Sequence, residues 1–366
     1  MQSGREAFDN IVRKKPADHI PNNDAPWGDT LTRWVSEGMP TNEDGSPVDV
    51  TEHFGYDMAG CGGWFDWQPM RGYSETVEET DEWRIVRNGS GGLLKWWKTH
   101  SGTPEHIDFD MTSRKVWEEK YRPLLVGEFD RERIGDVSAM TRNLERWRAK
   151  GRWCIYGNQF IWENMRGSLG DFTMYTALVE DQDWIHDYCR VYTDLYKAAY
   201  KIMIEEGGKP DGIWLYEDLG YRDRLFCSPK VLEKVIFPYY AEMVEFFHSY
   251  DLPVILHSCG YQAAALPLIV DAGFDGLNPM EVKAGNNIFE FVEKWGDRLC
   301  FVGGLDARIL ESGDREVIRK GVTDFINGMK ARGARFVYAS DHSLSTNISY
   351  HDYLYSLEVY RENCMY

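Results

Sequence analysis

From about residue 150 onward the chain alternates short apolar runs with long amphipathic stretches. The runs cover 153–156, 212–216, 253–256, 273–277, 299–302 and 335–339, with helical patterns such as 229–250 and 314–332 between them. Strands alternating with helices predict parallel pairing through crossover connections. Polar residues fall just past the end of each run: Glu217 and Asp218, then His257-Ser258-Cys259-Gly260, Glu281, Gly303-Gly304-Leu305-Asp306, and Asp341-His342. In a parallel barrel those ends meet at one mouth, where the loops carry the chemistry. An open doubly wound sheet gathers them only near its switch point, and no GxGxxG follows a strand here. The expected fold is therefore an α/β (β/α)8 TIM barrel.

The first hundred residues are less regular. A short helix is expected over 5–14 and a loop over 17–29. A β-hairpin is expected from 83–86 and 93–97, joined by Asn88-Gly89-Ser90-Gly91-Gly92. Residues 1–110 thus read as an N-terminal helical and hairpin extension packed on a catalytic barrel, 111–366, the whole forming one structural domain.

Composition narrows the function. The net charge of −18 argues against nucleic acid and against an anionic membrane surface, both of which attract basic side chains. No apolar run approaches ~18 residues, so no spanning helix is expected. The N-terminal residues do not read as a signal peptide. Seven scattered cysteines without a CxxC suit a reducing cytoplasm. The 14 Trp and 21 Tyr offer material for a core, a pocket wall or a homodimer interface.

His257 and Cys259 place two metal donors one residue apart at a strand end. Alone, such residues are more often packed or hydrogen-bonded side chains than metal ligands. Glu281 and His342 on neighbouring strand ends extend it to His, thiolate and carboxylate, a donor set that Zn²⁺ accepts. Asp218, Asp306 and Asp341 are candidate catalytic acids, with Asp341 placed to orient the His342 ring; structural hydrogen bonding is the competing role. Asn158, Gln159, Trp162 and Glu217 are candidate substrate contacts. Cys61, in Gly60-Cys61-Gly62-Gly63, reads as a lid thiol or an uninvolved cysteine.

The stretch from Asp211 to Gly260, together with GFDGLNPME, FVGGLDARIL and ASDHSLSTNISYHDYLYSLEVYRE, resembles the uroporphyrinogen-decarboxylase-like superfamily. The opening REAFDNIVRKKPADHIPNNDAPW is similar to its N-terminus. The arginine-rich motif of the true decarboxylases, near RQAGRYLPEY, is absent. The pattern of His257, Cys259 and Glu281 instead resembles the zinc-dependent methylcobalamin:thiol methyltransferases, with His342 where that branch carries a distant cysteine. The resemblance implies one zinc per chain and a corrinoid supplied by a partner protein. It implies methyl transfer to or from a thiol or small methylated substrate. A decarboxylase-like lyase acting on a carboxylated substrate, or a non-catalytic binding barrel, is the alternative.

Overall fold

The computed structural model describes residues 1–366. Two sheets organise it. Seven parallel strands, β1 (Met58–Gly62), β6 (Trp153–Gln159), β7 (Gly212–Tyr216), β8 (Val254–Ser258), β9 (Gly276–Pro279), β10 (Cys300–Val302) and β11 (Phe336–Val337), pair in that order. Four antiparallel strands, β2 (Ser74–Glu79), β3 (Trp83–Asn88), β4 (Gly92–Trp97) and β5 (Glu105–Phe109), form a smaller sheet between β1 and β6 in sequence.

The parallel sheet is curled around its own side chains. Met58, Trp153, Ile155, Trp214, Ile255, Cys300, Val302 and Val337, drawn from six of its strands, share one buried cluster. The helix Gly4–Val12 closes the bottom of that cluster with Phe8, Ile11 and Val12. Its N-cap Ser3 and Glu6 make a reciprocal capping box that fixes where it starts. The remaining strand, β9, contributes Gly276, where a Cβ would lie 2.6 Å from Cys300 Sγ; only glycine fits inside the curl there. Between the edge strands runs the extended segment 21–23. Pro21 O accepts from Tyr338 N at 2.8 Å, and Asn22 O accepts from Asp57 N at 2.8 Å.

Helices cover the outside. The longest, Gln182–Gly207, starts at N-cap Asp181 and buries Tyr188, Tyr192, Tyr196 and Tyr200 at four-residue spacing, one side of a helix laid on the sheet. The predicted 229–250 helix is two, Pro229–Val235 and Phe237–Ser249, because Pro238 cannot donate to the preceding turn. No helix is long and apolar enough to cross a membrane.

The hairpin at 83–97 forms with Arg84 opposite Trp96. The sequence reading missed β1, β2 and β5. Because β1 pairs with β6, a boundary at residue 110 would cut one strand from the parallel sheet. Cys61, read as a possible lid thiol, is 1% exposed within β1, which rules out a lid role.

Candidate metal centre

The C-terminal ends of β7, β8, β9 and β11 bring Asp218, His257, Cys259, Glu281 and His342 together. The turn after β8 is held from all sides: Cys259 N donates to Asp218 Oδ1 (2.8 Å) and Gly260 N to Glu281 Oε1 (2.9 Å). Leu219 N donates to Ser258 Oγ (3.0 Å), and Gln262 Nε2 to Cys259 O (2.6 Å). Gly260 has φ +76°, and a Cβ there would meet the Gly220 carbonyl at 2.5 Å. Only glycine lets the two loops pack this closely.

The donor atoms fall into two sets, each within 4.8 Å: Asp218, His257 and Cys259, and Cys259, Glu281 and His342. The four-residue set expected from the sequence is therefore not gathered at one point. Cys259 Sγ lies 3.4 Å from His257 Nε2, which is 3.8 Å from Asp218 Oδ1. On the other side His342 Nε2 is 3.9 Å from Glu281 Oε1. Burial pushes the Cys259 thiol well up, and the Asp218 and Glu281 carboxylates add to the shift.

Each imidazole has its second nitrogen fixed. His257 Nδ1 faces Asn278 Oδ1 at 2.5 Å, and His342 Nδ1 faces Ser343 O at 3.2 Å. Asn278, which holds the His257 ring, is not among the residues nominated from the sequence. Asn278→Ala is expected to weaken zinc binding about 10–100-fold, the usual cost of losing a partner that orients a ligating imidazole; zinc titration of the variant checks this.

The other nominated residues are placed differently. Asp341 accepts from Val282 N (2.7 Å) and Ala307 N (2.9 Å). Its carboxylate ties two loops together, and Ser343 O orients the His342 ring instead. Asp306 caps the helix Ala307–Glu311 and binds Arg308; against the upward push of burial, that pairing holds its carboxyl below the ordinary range. Glu217 is fully buried on the helix side of β7, its carboxylate bound to the amides of Phe160 and Trp162. Asn158 is buried and donates to Gly63 O, and Trp162 is fully buried. Gln159 alone of the substrate candidates lines open space.

That space is a cavity of about 950 Å³ between the mouth and the small sheet. Arg84, Val86 and Asn88 on β3 and Leu94 and Trp96 on β4 line it at every second position, the alternation of one sheet face. Opposite them stand Gln159, Glu163, Arg166, Phe226 and Asp218, so Asp218 belongs to both the cavity wall and the donor set. Burial pushes the Glu163 carboxyl up to about 7, against the pull of Arg166 at 3.1 Å. The folded chain then keeps a proton that the unfolded chain releases, so this group lowers stability as pH rises from about 4.5 to about 7. Glu163→Gln is expected to flatten that part of the slope, measured as urea midpoints at the two ends of the window.

A curled parallel α/β sheet with metal donors beyond its strand ends defines a class that carries its chemistry on strand-end loops. Within it, the chain belongs to the uroporphyrinogen decarboxylase (URO-D) family, whose profile matches residues 165–362. No curated protein matches it in sequence. Among solved structures, a methyltransferase from Methanosarcina mazei shares the fold with a TM-score of 0.67 at 16% identity, covering 99% of each chain. An AP endonuclease of family 2 from Brucella melitensis matches at a TM-score of 0.35 and 11% identity, over 58% of this chain and 81% of that one; the overlap is too loose to bear on the site.

Proposed function

We propose that the chain is a zinc-dependent methyltransferase working with a corrinoid protein, and that the ion binds the Cys259 thiolate together with one of its two neighbouring donor pairs, Asp218 and His257 or Glu281 and His342. The observation that carries this reading is the donor cluster centred on Cys259 beside a cavity able to hold a small substrate. Its mixture of imidazole, thiol and carboxylate fits zinc, and Asn278 pre-orients one ligand. The fold shared with the Methanosarcina methyltransferase supports the reaction class. Segment 21–23, hydrogen-bonded to Tyr338 and Asp57, serves in this reading as the eighth strand that closes a barrel.

Bound zinc would supply Lewis acidity, lowering the pKa of an acceptor thiol or polarising a methylated donor. The protein's own side chains position the reactants. Trp96 and Phe226 give the cavity flat apolar walls, while Gln159 and Asp218 present polar atoms at its metal-facing end. Alignment of donor and acceptor is the main contribution such a site makes to a displacement at carbon.

The test is metal analysis of the purified chain together with methylcobalamin turnover in the presence of a simple thiol such as 2-mercaptoethanol. Zinc bound to the chain and loss of the methylcobalamin spectrum are expected. A chain that neither contains zinc nor takes it up when supplied would sink the reading. Metal-independent release of CO₂ from a carboxylated substrate would favour the lyase instead.

A further inference from the structure

We infer that the small sheet selects the substrate of this site, and that Arg84 binds an anionic group on a flat, apolar molecule. The inference rests on the reading of the cavity as a substrate site and names the class of substrate it takes. The wall in question, β2 to β5, lies outside the stretch matched by the family profile, 165–362, which leaves it free to differ between relatives.

The charged side chains of the cavity lining are matched except one. Arg166 is bound at 3.1 Å by both Glu163 and Asp171, and it lies over the Phe226 ring at 5.0 Å. Asp218 belongs to the donor cluster. Arg84 stands opposite Glu79 on β2 and Trp96 on β4. Glu79 is taken by Lys98 at 2.7 Å, and no carboxylate comes within 4.0 Å of the Arg84 guanidinium. Asn88 fixes the other end of β3, its Nδ2 donating to Gly167 O at 3.2 Å. Arg84 lies four residues back along the strand, ~13 Å away at ~3.4 Å per residue.

The cavity face beside that guanidinium is apolar, formed by Val86, Leu94 and Trp96. Trp96 is 39% exposed and Trp64, on the loop after β1, is 57% exposed. Both line the cavity, so two indole rings are open to a ligand. A flat ring laid on them would stack and remove their apolar area from water. A carboxylate on the same molecule would meet the planar fork of Arg84, which donates to both of its oxygens at once.

The test is calorimetric titration of the full-length chain with 2-naphthoate and its uncharged amide, 2-naphthamide, as purified and after chelation. The acid is expected to bind about 10-fold more tightly than the amide in both metal states, the scale of a hydrogen bond to a charged group. Arg84→Gln should remove that preference by weakening the acid alone, and Trp96→Ala should weaken both ligands. Equal affinities, or no binding of either ligand, overturn the inference. So does a preference that vanishes on chelation, since the carboxylate then binds the metal, or one that survives Arg84→Gln. None of these outcomes touches the zinc reading, which metal analysis decides.

Discussion

Cys259→Ala is expected to strip the chain of its metal, lowering zinc affinity by about 10³-fold or more, on the order of 4 kcal/mol. The sulfur is the one atom common to both donor sets. Without it, Asp218 and His257 remain as an isolated pair, as do Glu281 and His342. Two protein ligands fall short of the three that catalytic zinc sites keep. Losing a mere orienting partner already costs 10–100-fold, and a directly bound thiolate contributes more. The fold should survive, because the turn is held by the backbone N and O of Cys259 rather than by its side chain. Zinc content and titration, read beside an unchanged unfolding midpoint, check the prediction. A variant that retains full zinc would remove Cys259 from the centre.

The nomination of His257, Cys259, Glu281 and His342 shows what strand-end position conveys and what it omits. A sequence places each residue beyond its strand, but distance across the mouth depends on strand order and on how far each loop leans inward. With β8 next to β9 and β11 two strands further round, the Cys259 turn stands between the two halves instead of beside a common point. Asn278 was hidden for a related reason. It pairs with His257 through the parallel register of β8 and β9, and register is not visible in either strand alone.

Glu217 and Asp218 were harder to separate, yet the information was present. Side chains alternate across a strand. Trp214 points into the interior cluster of the curled sheet, so Asp218 shares its face and Glu217 turns to the helices. Parity counted from one inward residue would have distinguished them, had the inward residue been known. The missed strands have a simpler cause. β1 reads MAGCG, with no branched residue to signal a strand. β2 is exposed at every position and β5 at all but its last, so neither shows an apolar alternation.

Glu217→Ala is expected to cost roughly 3–5 kcal/mol of stability, the scale for leaving several buried donors without an acceptor, while leaving zinc bound to the folded fraction. The carboxylate is fully buried and does the work of a helix cap. Oε1 accepts from Phe160 N at 2.7 Å and Glu163 N at 3.3 Å; Oε2 accepts from Trp162 N at 2.7 Å and Tyr240 OH at 2.5 Å. The helix Ile161–Glu180 begins here, and its N-cap Phe160 has no side chain able to accept a hydrogen bond. Alanine would leave these amides without an acceptor in a site that water does not reach, at about 1–3 kcal/mol for each unsatisfied group. Burial pushes this carboxyl up to about 8 despite the donors around it, so its hydrogen bonds, not its charge, hold the helix start. Glutamine should cost less, since it keeps one acceptor oxygen but turns an NH₂ towards groups that are themselves donors. Urea midpoints of the two variants give the order. A Glu217→Ala protein within 1 kcal/mol of the unmodified chain would show that something other than this carboxylate holds the helix start, and would return Glu217 to consideration as a substrate contact.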